Sequence, residues 1–190
     1  MSRYYFTVAS LPMLFYGGDT GPDRDEFLSI CKEACSRKDM RCIEDIHLDP
    51  AGENRSVHNL ARKWMTWETN LRNELVRFRA KDHGKDQERF LKEESAFYTE
   101  ISDIVREAYS QESPLQAEEV LNQARWRRLE ELEVGHHFDL EKLMVYHLKL
   151  QLNERKALFT KKAGEENFAR VYQSIHESGD TKEPAAGEYR

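Results

Sequence analysis

Between Leu140 and Leu152 the chain places apolar residues at Leu140, Leu143, Met144, Val145, Tyr146, Leu148, Leu150 and Leu152. At 3.6 residues per turn they fall at nearly every angle, and a helix apolar all round is normally buried among others. Asp139 is a good N-cap, and Phe138 before it can reach Leu143 as a hydrophobic staple. Gly164 marks the expected end. The reading is a central post, Leu140–Ala163, in a helical bundle. It is entered from a preceding helix through a tight corner around Gly135-His136-His137.

The other helices are read from their stripes. Ser113-Pro114-Leu115-Gln116 is a helix start, with Ser at the N-cap and Pro at the first helical position. It opens the helix that leads into the corner. Leu60, Trp64, Trp67, Leu71, Leu75 and Phe78 are spaced 4, 3, 4, 4, 3, the stripe of a long packed helix over Asn54–Lys81. After a turn at Asp82-His83-Gly84, apolar residues resume at Phe90, Phe97, Ile101, Ile104 and Ala108, with Glu94 where a sixth would fit. Two long helices with a short link predict an antiparallel hairpin over 54–110. Asn54–Lys81 has seven Arg/Lys against two Glu, and Asp86–Glu119 has ten acidic residues against three basic ones. Opposite signs suit that pairing, although an exposed ion pair is worth only about 0–1 kcal/mol.

Earlier in the chain, Phe27, Leu28, Ile30 and Cys31 make one helical face, and a second short helix is read over Met40–His47. The opening RYYFTVASLPMLFYGG is aromatic, is broken by Pro12, and has no later strand to pair with. Residues 1–20 are therefore read as a docking arm or short helix. Glu165–His176 can form one more amphipathic helix. Residues 178–190 lack a core and read as a disordered tail. The fold class is all-α: an antiparallel bundle of about seven helices over 21–177, as one body or two lobes, with the central helix pair at 114–163.

Composition narrows the setting. The 190 residues are 34% charged, mean hydropathy is −0.82, and no run of about 18 apolar residues exists to span a bilayer. No charged leader with an apolar stretch opens the chain, and an odd three cysteines give no disulfide framework. The expectation is a reducing, cytoplasmic setting. A net charge of −6 argues against whole-surface affinity for nucleic acid.

The opening YYFTVASLPML, the helix start FLSICKE, and above all AEEVLNQARWRRLEELEVGHHFDLEKLMVYHLKLQLNERKALF resemble a bacterial family of V-type ATPase-associated proteins. That family takes the place of the C-type stalk component in the enzyme's gene cluster and is similar to the d-type component of eukaryotic vacuolar enzymes. The resemblance implies a non-catalytic, all-helical central-stalk adaptor, carrying no cofactor or metal, on the cytoplasmic face of the membrane. It would link the membrane rotor ring to the central shaft and transmit torque between ATP turnover and proton or sodium transport. Its membrane contact would come only through partner subunits. The C-type component proper has three similar helical lobes and is much longer. The contact residues expected on this reading are Tyr4, Tyr5 and Phe6 for the ring. For the shaft they are Gly135, His136 and His137 with Arg72 and Arg77 of the basic helix.

Two other functions fit parts of the sequence. Glu44-x-x-His47 and Glu133-x-x-His136, with Glu94, echo the carboxylate and imidazole spacing of di-iron bundle enzymes, although Gly135 breaks the second pair. Cys31, Cys35, Cys42 and His47 count as four zinc ligands without the short Cys-x2-4-Cys spacing. Burial as free thiols is the simpler reading. Trp64 and Trp67 among Arg62, Lys63, Arg72, Arg77 and Arg79 mimic an aromatic-basic strip for single-stranded nucleic acid. They lie on the apolar stripe, however, where burial explains them. His137 and His147 have no nucleophile pattern beside them, and no phosphate-binding glycine loop is present.

Overall fold

A computed structural model describes residues 4–18, 20–49, 58–84, 86–94 and 96–159. Among them the protein is all-helical: α1 (Tyr5–Ser10), α2 (Arg24–Ala34), α3 (Arg37–Glu44), α4 (Asn59–His83), α5 (Glu100–Tyr109), α6 (Pro114–Glu133) and α7 (Leu140–Leu158). None of these helices is long and apolar enough to cross a membrane.

Local chemistry sets most of the starts. Asp23 accepts from Glu26 N at 2.7 Å to open α2, and Ser36 accepts from Asp39 N at 3.2 Å to open α3. The second short helix thus begins at Arg37 rather than Met40. Ser113 accepts from Gln116 N at 3.2 Å, with Pro114 in the first turn of α6. Asp139 accepts from Lys142 N at 3.0 Å at the head of α7. Each such cap satisfies a backbone donor that would otherwise be orphaned, typically worth about 1 kcal/mol.

The post is as the apolar pattern predicts. Every residue from Leu143 to Leu152 is buried, and α7 packs against α2, α3 and α6. On the other side α6 packs against α4 and α5. Among the described residues the buried apolar side chains form a single cluster running from Tyr4 to Leu152. On α4 the predicted stripe is buried from Leu60 through Leu75, and the Trp64 and Trp67 rings stack 5.8 Å apart inside. Those rings are not available to stack on bases.

The hairpin over 54–110 is corrected. Its second arm is only α5, ten residues long, and the described residues between 86 and 99 are not helical. The reason is Asn73. Its side-chain amide donates to Lys92 O at 2.7 Å and accepts from Lys92 N at 3.0 Å. The backbone there is satisfied by α4 rather than by its own helix. Glu94 then accepts from Asn73 at 2.9 Å and from Arg77 at 3.0 Å, while Phe90 and Phe97 stay exposed.

Gly164, the amphipathic stretch Glu165–His176 and the 178–190 tail lie outside the described residues, as do 50–57 at the expected start of the long helix. The last described helix turn is at Leu158.

Candidate functional site

Two groups of side chains stand out: a charged cluster inside the bundle and an aromatic surface at one end of it.

The charged cluster starts from Glu68, wholly buried on α4, and Arg125, 3% exposed on α6. Arg125 donates from Nε to Glu68 Oε2 at 3.1 Å and from a terminal nitrogen to Oε1 at 3.2 Å. Its other terminal nitrogen reaches Asn122 at 3.0 Å and Glu118 at 3.2 Å. From Glu118 the chain of pairs continues to Arg155 of α7 at 2.7 Å. Arg155 donates to Asp49 at 3.2 Å, Asp49 also receives Arg72, and Arg72 returns to Glu68 at 2.9 Å. The ring closes, with acid and base alternating, and ties α4, α6, α7 and the segment before α4 to one another. The planar, five-donor guanidinium suits this role, since it can serve several acceptors in one plane. Removing Arg125 would leave the wholly buried Glu68 poorly compensated, which is far costlier than losing one of the exposed pairs at Asp49.

At the aromatic end, the corner between α6 and α7 turns on Gly135, whose φ of +85° is a left-handed conformation that side chains disfavour. A Cβ there would meet nothing within 4 Å, so the requirement is on the backbone alone. His136 N donates to Glu133 O at 2.9 Å. His136 Nδ1 pairs with Asp139 Oδ2 at 2.7 Å, while the other oxygen of Asp139 caps α7. Val134 (79% exposed) and His137 face water.

The N-terminal arm lies beside this corner. The ring of Tyr5 sits 4.6 Å from that of Phe138 and 5.5 Å from Phe6. Phe6 and Met13 are 78% and 75% exposed, and Phe15 is exposed too. The arm is held by its far end. Tyr146 donates to Pro12 O at 3.0 Å, Asn153 accepts from Gly17 N at 2.9 Å and donates to Phe15 O at 3.0 Å, and Tyr16 donates to Glu119 at 3.1 Å. Burial and the Glu119 carboxylate push the Tyr16 phenol above its ordinary range, so it stays a neutral donor. Single exposed apolar side chains need no explanation, but a contiguous aromatic patch on a rigidly held arm does.

No curated protein matches the chain, and no solved structure does. One family model, described as a protein of unknown function (DUF2764), matches residues 98–178. That span takes in α5, α6, the corner and α7.

The residues expected to make contacts are thus redistributed. Tyr5, Phe6, Gly135, His136 and His137, assigned to two partners from sequence, lie on one surface. Tyr4 does not join them: it is buried, and its hydroxyl donates to Asp39 on α3. Arg72 and Arg77 do not join them either. Arg72 is a member of the closed ring, and Arg77 pairs with Glu74 at 3.2 Å and Glu94 at 3.0 Å. Both are spent on internal bracing.

The metal patterns come apart in the same way. Glu133 takes Lys142 and Lys149, Glu94 takes Arg77 and Asn73, and Cys31, Cys35 and Cys42 form no disulfide. Cys31 is buried, and burial pushes its thiol up to about 12, where it is not a nucleophile at neutral pH. Among the described residues, His136, Asp139 and Glu141 do bring ligand atoms within 4.8 Å of one another. That trio surrounds the head of α7, where the helix dipole favours anions and opposes a cation. Glu141 is also within 3.5 Å of His58. The arrangement reads as a capped helix start. Neither the charged ring nor the arm–corner contact was visible from sequence. The one local clue to the ring was a Glu at position 68 beside Trp67 on an otherwise apolar stripe.

Proposed function

We propose that the chain is a non-catalytic central-stalk subunit of a V/A-type ATPase, linking the membrane rotor ring to the central shaft and transmitting torque for ion transport coupled to ATP. The observation that carries this reading is the division of labour between the two groups. A closed ring of charge pairs, with Glu68 and Arg125 buried within it, braces α4, α6 and α7, and a part that transmits torque needs helices that do not slide. The arm and corner, in contrast, hold aromatic side chains out to water from a fixed base, as an interface with another protein requires. The resemblance of Arg125–Phe159 to the ATPase-associated family supplies the identity of the assembly.

The reading also revises the contact scheme. Tyr5, Phe6, Phe138, Val134 and His137 together make the surface for one of the two partners, instead of being divided between ring and shaft. The test is a gentle membrane pull-down through a tag on this chain. Recovery of shaft and ring subunits in fixed ratio supports the proposal, with release by Phe6→Asp combined with Val134→Asp. Recovery of the chain alone would sink it.

A further inference from the structure

The arm does not lie flat on the bundle. Beneath it, between the arm and the facing sides of α6 and α7, is a cavity of about 530 Å³, within the range of small-molecule sites. Most of its lining is apolar or aromatic, including Leu11, Leu14, Leu143 and Trp126. The rest is a small set of charges whose arrangement is specific.

Lys142 and Lys149 are seven residues apart on α7, two helical turns, and so lie on the same side of it. Both reach Glu133 at the end of α6, Lys142 on one carboxylate oxygen and Lys149 on the other. The Lys149 ammonium also stands 5.0 Å from the centre of the Trp126 ring. Glu130 accepts from Trp126 Nε1 at 2.8 Å.

An ammonium carries three donors. Among the described residues, Glu133 is the sole hydrogen-bond acceptor of each lysine, so most of their N–H groups are left for whatever fills the cavity. The two cations also work against each other. Burial and the neighbouring ammonium hold Lys142 below the ordinary lysine range, and burial does the same to Lys149. An added anion would supply the missing acceptors and offset that repulsion. Two carboxylates already stand in the wall, which favours a singly charged anion over a dianion. The apolar lining favours a ligand with an apolar body.

We propose that this cavity binds a small monocarboxylate with an apolar body, its carboxylate bridging Lys142 and Lys149 and its body lying against Leu11, Met13 and Trp126. The cavity shares Met13 and Phe15 of the arm but takes nothing from Tyr5, Phe6, Phe138, Val134 or His137, and ligand binding is measured on the isolated chain, so it stands or falls independently of the assembly proposed above.

Calorimetric titration of the full chain with decanoate, and with the uncharged decanol, tests this. Decanoate should bind one to one and at least about tenfold more tightly than decanol. Lys149→Met should abolish the preference, and Lys142→Met provides the same test if the first variant does not keep its helical circular dichroism. Glu133→Gln removes the internal competitor and should tighten decanoate about fivefold. Failure of decanoate to bind, equal binding of decanol, a preference surviving both lysine substitutions, or weaker decanoate binding in Glu133→Gln would each overturn the proposal.

Discussion

Set the charged ring beside the aromatic arm, and the same chain is seen to treat polar and apolar groups in opposite ways. In the ring, Glu68 and Arg125 are taken out of water and matched almost completely. At the arm, Phe6 and Met13 are left in water although a large core lies below them. Each choice costs stability locally. Buried ions lose hydration, and exposed aromatics forgo burial. The difference teaches where stability and where recognition reside. Substitutions inside the ring should act on folding, and substitutions on the arm should act on association.

The sharpest way to break that division is Arg125→Met. Glu68, wholly buried, would keep only Arg72, and a loss of about 3–5 kcal/mol in unfolding free energy is expected. Urea titration measures it. Adding Glu68→Leu should recover about 2 kcal/mol or more, because the pair is then replaced by apolar groups of similar volume. If the double variant is no better than the single one, the ring is not the coupled unit described.

Next in size is a pH effect within the post. His147 is buried on α7, and its Nδ1–H donates to Ile43 O at 2.8 Å, while Nε2 has no partner. Burial lowers its pKa to about 4 from an unfolded value near 6.5. The unfolded chain therefore takes up a proton first as pH falls. The full contribution of His147 is present above about pH 6.5 and is lost progressively down to about pH 4, a change of about 3 kcal/mol. Stability measured across that window should slope in wild type and flatten in His147→Gln. Equal slopes would show that the imidazole is not the group responsible.

These two effects also mark what could be read from the sequence. The post, the stripe on α4 and the caps at Ser113 and Asp139 were legible because each depends on neighbours within a turn or two. The ring was not, because Glu68 and Arg125 are 57 positions apart and no local period joins them. The second arm of the hairpin failed for a related reason. The apolar period continues past Glu94, but tertiary bonds from Asn73 and Arg77 hold this segment out of a helix. Glu94 breaking the stripe was the signal to stop. The partner surface was half legible: the aromatic arm and the corner were each singled out, but only folding places Tyr5 on Phe138.

A smaller effect should come from the corner, which joins the braced helices α6 and α7 and lies beside the arm. Gly135→Ala forces a side chain into left-handed backbone with open space around it. The expected cost is about 1–2 kcal/mol. Because the surroundings do not clash, Gly135→Asn should cost less than Ala, since Asn tolerates that conformation. Thermal unfolding of the two variants decides it. Equal losses would mean that the turn is held by something other than its backbone angle.

The smallest expected change in stability carries the most weight for the comparison. Phe6→Asp removes an aromatic ring that is 78% exposed and touches Tyr5 edge-on. If the arm is a recognition surface standing on its own base, this substitution should shift unfolding free energy by no more than about 0.5 kcal/mol. The anchoring bonds from Tyr146, Asn153 and Glu119 lie beyond it in the chain and do not use the ring. A loss above about 1 kcal/mol would place Phe6 in the core energetically whatever its exposure, and the contrast between a braced interior and a displayed arm would fail. Should stability hold while recovery of partner subunits falls in the pull-down, the two regions are separable. The aromatic face is then kept in water for association and not for folding.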